Sequence, residues 1–441
     1  MSEKTMQVLP WSGHYTDLQS LIKEIKEAQI GMYLKFENEI NKAFYVPDPD
    51  TFEVVLSSSG DKIFIPNAIS YHTLFRGQTQ DWGKCKSSLY RNEYDDIRIF
   101  IERLRLIEFC GIVETHPVVQ RFFMKNNYRI SKVGLAQHYG IQTEMLDITN
   151  DVDISAFFAV CPYDKETDSY KTICDDQVHI GVIYATLTYD YLSHKLDKFL
   201  DDKISVIGMQ PFMRPGSQKG FSIKLEKEEE FFAMKYTFNY TKQDSDFYFN
   251  KFKNGESLWT KDEIASMIKP IIKQTHFSRK TFQKAYEMYR PKGYSRTKLI
   301  KALCDYNISI DHKLNPSVYP SDKIQQAVQN WNSTQAKNIC KILQRKFWRD
   351  NEVIDKDGNK SYTNRHDFRS LEMINDIECL RLLGSHYRQK FLPVKYFDIT
   401  RFNTNNSSRK DRSFNTDWRY IEPKVELMKS ETFLDEKDCL I

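Results

Sequence analysis

Gln137-His138-Tyr139-Gly140-Ile141-Gln142-Thr143-Glu144-Met145-Leu146-Asp147-Ile148-Thr149, running on into Ala156-Phe157-Phe158-Ala159, changes texture twice over a short distance. Ser131 is placed to cap a short helix that runs through Tyr139, and Gly140 supplies a left-handed stop. If Asp147-Ile148-Thr149 is extended, Asp147 and Thr149 point to one face. A second helix then starts, with Asn150 or Asp151 as its cap and Asp153 in the first turn, where the helix dipole favours an acid. Its core side carries Ile154, Phe157, Phe158 and Val160. Thr149 reads equally as a cap for that helix. Asp147 has no such simple role, because it stands between apolar neighbours.

Working outward, Leu18, Leu21, Ile22 and Ile25 repeat at helical spacing, with Thr16 and Gln19 matching a capping box. Turn signals at Pro47, Pro49 and Ser57 to Gly60 mark a strand-rich stretch. Tyr71 to Phe75 predicts a strand ending at Arg76-Gly77, and Ile97, Phe100, Ile101, Leu104 and Ile107 predict a helix to about Cys110. Downstream, 178–187 is a buried strand by length and branching. A helix is expected over Tyr189–Leu200, and strands at Gly220–Leu225 and Glu230–Tyr236. After Asn250 helical patterns dominate: Asp262–Ile268, Thr281–Tyr289, Ser295–Asp305, Asp322–Arg349 and Asp367–Gln389, with a solvated turn at Asp355–Asn359 and a polar linker at Asn403–Asn415. The predicted class is α+β: an N-terminal unit over 1–245 with core motifs in 71–225, built on a mixed or split sheet with flanking helices, then a mainly α-helical C-terminal domain over 250–441.

The totals exclude several functions. A chain of 441 residues, 40% of them hydrophobic, has material for two domains. A net charge of +4 demands no general affinity for nucleic acid or membrane. The eight cysteines are scattered with no C-x-x-C spacing, which argues against zinc ribbons and fits a reducing compartment. No H-x-x-x-H, H-E-x-x-H or Cys/His cluster occurs, so no metal is expected, and no Walker A, G-x-G-x-x-G or G-x-S-x-G pattern supports ATP, dinucleotide-fold or serine-hydrolase chemistry. With no apolar run of spanning length and no signal-peptide core, the expected location is cytoplasmic, without a membrane partner. The basic stretches Lys341–Arg349 and Arg381–Lys390 read as solvated helix faces rather than nucleic-acid contacts.

Three segments stand out together: Leu74-Phe75-Arg76-Gly77-Gln78 with Trp82 and Ser88-Leu89-Tyr90-Arg91; the stretch from Gln137 to Ala159; and Arg214-Pro215-Gly216-Ser217-Gln218-Lys219-Gly220-Phe221. Arg76 beside a glycine offers a planar fork for phosphate or carboxylate, with the glycine letting a ligand approach the backbone; alternatively it is a structural arginine paired with a buried acid such as Asp147. His138 reads as a site group or a structural histidine, and Gln218 as a ligand contact or a turn residue. Glu226, Glu228, Glu229 and Glu230 read most simply as a solvated hairpin edge. In order and spacing the three segments resemble the FRG domain, a family of soluble, intracellular, mostly microbial proteins, over roughly residues 10–240. Glu144 stands where that family usually has a basic residue, and Ile148 where it usually has Trp.

The layout is also distantly similar to mono-ADP-ribosyltransferases, with Gln218 near the place of their catalytic glutamate. That resemblance implies NAD as substrate. It makes Arg76, Asp147, Thr149 and Gln218 the reacting or orienting groups, and Gly77, Gln78, Arg91, His138, Tyr139 and Thr143 the ligand contacts. It further implies a bacterial NAD-using effector of toxin or antiviral defence type, with a protein or nucleic-acid target met through the C-terminal half. Two other readings stand beside it: a non-catalytic module that senses a nucleotide or phage product and signals through the helical half, and a plain interaction protein. An acid beside Arg76 in a deep cleft favours the enzyme, a cleft without one the sensor, and a filled core around Arg76 the interaction protein.

Overall fold

Two strands that alternate apolar residues toward opposite faces sit at the centre of the computed structural model. It describes residues 9–39, 52–56, 61–66, 73–187, 203–260, 262–334 and 336, with six short strand segments between 343 and 427. Up to Tyr240 the strands are β1 (Gly13–Tyr15), β2 (Phe52–Leu56), β3 (Lys62–Pro66), β4 (Thr73–Gln78), β5 (Met145–Thr149), β6 (Tyr163–Asp164), β7 (Ser169–Tyr170), β8 (His179–Leu187), β9 (Ile204–Val206), β10 (Gly220–Lys224) and β11 (Met234–Tyr240), and a short parallel pair follows at His276–Ser278 and Ser309–Asp311. Seven of them form one sheet in the order β1-β11-β8-β4-β5-β10-β9. Only β1 and β11 pair in parallel, so the sheet is mixed.

Alternation divides two cores between the faces of this sheet. Leu74, Leu146, Ile148, Val182, Phe221 and Ile223 pack on one side with Phe122, Phe123 and Trp331. Phe75, Ile183, Ala185, Tyr236 and Phe238 pack on the other. There they meet α1 (Leu18–Glu39) through Leu18, Leu21, Ile22 and Ile25, all four buried as the periodicity requires. The cap of α1 is Asp17, whose carboxylate accepts from Ser20 N at 2.7 Å, rather than the expected Thr16–Gln19 box.

The remaining helices are α2 (Ser88–Arg91), α3 (Asp96–Thr115), α4 (Lys132–His138), α5 (Val152–Val160), α6 (Met213–Ser217), α7 (Lys242–Lys251), α8 (Glu263–Ile272), α9 (Arg279–Tyr289), α10 (Arg296–Cys304) and α11 (Ile324–Ser333). α3 is buried on most sides, with Glu102, Arg103 and Glu108 among its thirteen buried residues, so it is covered by several neighbours. Leu106, Phe109, Cys110 and Val113 pack against α4 and α8. Ile97, Phe100, Ile101, Leu104 and Ile107 pack against α9 and α10. Packing thus crosses the 245–250 interval where the sequence texture changes.

Three expected elements shift. The strand expected over Glu230–Tyr236 runs Met234–Tyr240, because Glu226 to Phe231 turn instead, with Glu226 N donating to Glu229 and Phe231 N to Cys85 O. The strand expected from Tyr71 to Phe75 runs Thr73–Gln78 and carries Arg76 within it. The helix expected over Asp322–Arg349 stops at Ser333, where the hydroxyls of Ser333 and Thr334 both donate to the Asn330 carbonyl and compete with the helical bond; Leu343–Arg345 is a strand. The expected Tyr189–Leu200 and Asp367–Gln389 helices, the Asp355–Asn359 turn, the Asn403–Asn415 linker and the basic stretch 381–390 lie outside the described residues. No helix among the described residues is long and apolar enough to cross a membrane.

Candidate functional site

β4 pairs along its full length with β8, and β5 along its full length with β10. Between them β4 and β5 share a single bridge, Phe75↔Thr149. Beyond it the two strands part, and Arg76 and Asp147 lie in the parted section. Arg76 reaches across and donates from Nη1 to the backbone carbonyl of Asp147 at 2.6 Å. The guanidinium stands in for a missing ladder bond, and the Asp147 carboxylate is left for other use. Arg76 is therefore neither wholly a ligand clamp nor paired with the acid's side chain.

Gly77 has a different reason from the one expected. A Cβ there would lie 1.9 Å from Ser155 O and 2.8 Å from Ala159 N, both backbone atoms of α5. The glycine lets α5 lie directly on β4, which seats the second helix of the opening motif against the strand that carries Arg76.

α4 delivers His138, and Gly140, at φ +88°, ends the run as expected. The ring fits because position 220 is glycine: a Cβ there would come within 3.0 Å of it. His138 Nδ1 lies 3.1 Å from Gln218 Oε1, while Gln218 Nε2 donates to Leu258 O at 3.1 Å. The Leu258 carbonyl settles which end of the amide is which, so Gln218 presents an acceptor and His138 carries its proton on Nδ1. His138 Nε2 then faces Asp147 Oδ1 at 3.4 Å. Burial pushes the Asp147 carboxyl above the usual range, opposed by His138 and Arg76. Gln218, His138, Asp147 and Arg76, chosen from three separate segments, form one connected group.

The other expected residues divide. Thr149 is buried and accepts from Asp151 N at 3.2 Å, but Asp151 is the cap of α5. Thr143 is fully buried and ties Gln137 to Met145 N, so it braces the entry to β5 and does not line the cavity described below. Tyr139 lines that cavity and donates to Asp262 at 2.6 Å, which also caps α8. Gln78 lines it, and Arg91 stands exposed at its mouth. Glu144, the departure at a usually basic position, pairs with buried Arg103 of α3 away from the cavity. Ile148 joins the core behind β5.

These groups open into a cavity of about 690 Å³. Its far wall was not foreseen. Tyr163 and Tyr170, from the β6–β7 hairpin, pack against Trp259 with ring centroids 5.3 and 5.2 Å away. Arg214 is sandwiched between Trp259, at 3.8 Å, and Tyr139, at 5.0 Å. Trp259 Nε1 and the Tyr163 hydroxyl both donate to Asp168. Arg214 was visible inside the third segment; nothing in the spacing linked Tyr163, Tyr170 or Trp259 to it. Six cationic side chains (Arg76, Arg91, Lys165, Arg214, Lys269 and Lys273) line the cavity against two acids, Asp147 and Asp168.

Five buried polar atoms on the lining have no hydrogen-bond partner among the described residues: Arg76 Nε, Gln78 Oε1, His138 Nε2, Gln142 Oε1 and Asp147 Oδ1. Such an atom costs about 1–3 kcal/mol when left unmet, so their gathering beside one cavity makes it a candidate ligand site. Among the described residues, no group of His, Cys, Asp and Glu side chains is arranged to hold a metal.

Residues 71–168, which contain the first two segments, match the family model of the FRG domain. The chain carries an FRG domain. No curated protein and no solved structure matches it. The matched span carries Arg76, His138 and Asp147, while Gln218, Arg214 and Trp259 complete the cavity from beyond it.

Proposed function

We propose that this FRG-domain protein binds a nucleotide of the NAD type in the cavity and cleaves its nicotinamide–ribose bond. The observation that carries the reading is the set of unmet buried atoms. Most are acceptors, which call for hydroxyl or amide donors such as a ribose diol or a carboxamide. The surrounding cations call for phosphate, and the aromatic wall for a base. A hydroxylated, anionic, ring-bearing ligand is a nucleotide.

In the cleavage, the bonding pair leaves with the nicotinamide and the ribose becomes oxocarbenium-like. The Asp147 carboxylate steadies that cation from a fixed position. The incoming water or acceptor hydroxyl adds at the ribose carbon and gives its proton to His138 Nε2, which is open in the tautomer set by Gln218. Arg76 holds the Asp147 backbone and offers Nε to the ligand.

Gln218 supports a second reading. Near the place of the transferases' glutamate stands an amide bonded at both ends to the protein, as expected of a module that binds a nucleotide and passes on the signal. α8 would carry that signal, since it walls the cavity and also reaches α11, with Glu263 accepting from Asn330 at 2.8 Å. In either case the proposed setting is defence or toxin-type conflict, supported by the family resemblance.

The test is nicotinamide release from NAD, alone and with a cell lysate, alongside calorimetry with ADP-ribose. Release abolished by Arg76→Ala and Asp147→Asn is the expected result. Binding of ADP-ribose without release in either setting moves the protein to the sensing reading. No binding of either nucleotide overturns both.

A further inference from the structure

We infer that the mouth of the cavity is a binding surface for single-stranded nucleic acid. Four exposed cations stand there on three separate elements: Arg91 on α2, Lys165 in the β6–β7 hairpin, and Lys269 and Lys273 one turn apart on and just after α8. The three lysines have no acidic partner among the described residues, whereas many other lysines of the described surface, among them Lys26, Lys84, Lys171, Lys203 and Lys235, are paired. Asp168, the acid nearest the hairpin lysine on the lining, is occupied by Tyr163 and Trp259.

Two aromatic rings stand among these cations. Trp82, in the loop after β4, is 59% exposed, and Tyr163 is 40% exposed. Tyr163 is held by Asp168, Trp259 and Tyr170, so stacking a base on it costs little ordering. Cations that track a backbone, interleaved with rings that stack bases, are the chemistry by which single strands are held. A duplex keeps its bases stacked on one another and cannot use the rings. The chain's net charge of +4 gives no such affinity by itself, so the selectivity belongs to this patch. The inference concerns the mouth, and it shares Tyr163 and these cations with the proposed nucleotide site.

The experiment is fluorescence anisotropy of a labelled twelve-residue oligothymidylate with the full chain, from 50 to 300 mM salt, beside the same length of duplex and beside ADP-ribose calorimetry. Four phosphate contacts predict a log–log salt slope of roughly −2 to −3 for the single strand. Trp82→Ala is expected to weaken binding about ten-fold. Lys269→Glu with Lys273→Glu should flatten the slope by roughly 1.4. All three side chains are exposed, so thermal melts of the variants should match the parent. Absence of oligonucleotide binding, equal binding of duplex, or indifference to both sets of substitutions overturns the inference. Oligonucleotide binding with this dependence supports it even where ADP-ribose fails to bind. The converse result leaves the nucleotide reading standing and removes this one.

Discussion

Two arginine–acid groups lie three residues apart along one strand and its lead-in, and they have been put to different uses. Glu144 meets Arg103, whose guanidinium also sits 4.5 Å over the Tyr289 ring, and neither residue leaves a buried polar atom without a partner. Burial works against the Arg103 charge, yet Glu144 more than offsets it and the net direction is upward. Asp147 meets Arg76 only through its backbone, and the pair with His138 leaves Arg76 Nε, His138 Nε2 and Asp147 Oδ1 unmet. Both groups combine burial with charge. What separates a strut from a site here is the unmet hydrogen-bonding capacity beside a space large enough for a ligand.

The sharpest way to break this contrast is to remove Arg103. Arg103→Met strands Glu144 and is expected to cost about 3–5 kcal/mol in urea unfolding, with Arg103→Met plus Glu144→Leu recovering most of it. A single variant as stable as the parent would dissolve the distinction. At the other group the loss should fall on chemistry. Asp147→Asn is expected to lower NAD turnover by about 10²–10³ while leaving the unfolding temperature unchanged or slightly raised. The sign follows from the direction of the shift. A carboxyl whose pKa is raised on folding contributes its stability below the unfolded value and loses it as pH rises through the folded one, so its ionised form costs stability at neutral pH. The proposed turnover, in which the carboxylate steadies the cation, should fall as pH drops through the raised value.

Smaller effects sharpen the picture. Gly77→Ala forces a Cβ against the α5 backbone and should cost about 1–3 kcal/mol, with the unfolding midpoint lowered and ligand affinity following it. Smallest in stability is Gln218→Leu, which removes hydrogen bonds worth about 0.5–1.5 kcal/mol each. It also removes the acceptor that fixes the His138 tautomer, so the proposed turnover should fall with ADP-ribose binding retained. Unchanged turnover would make Gln218 a packing residue only.

Much of this site was legible before any fold was known. Helix stop, strand and capped helix follow from Gly140, the alternation around Asp147, and Asp151, and Arg76, His138, Asp147 and Gln218, singled out in separate segments, lie together. What was not legible depends on partners far away in sequence. Gly77 looks like a ligand-approach glycine until Ser155 and Ala159 are seen against it. Thr143 looks like a contact until Gln137 and Met145 claim its hydroxyl. The wall of Tyr163, Tyr170 and Trp259 joins a hairpin to a loop some ninety residues on, and aromatic residues at such distances carry no local signal. Glu144 looks like a pocket change, yet its partner Arg103 lies on a helix whose periodicity says nothing of the pair.

The single bridge between β4 and β5 has a consequence for how such a protein can diversify. Backbone divergence, rather than small side chains, holds the cavity open. Substitutions along its lining can therefore exchange one recognised molecule for another without filling the space.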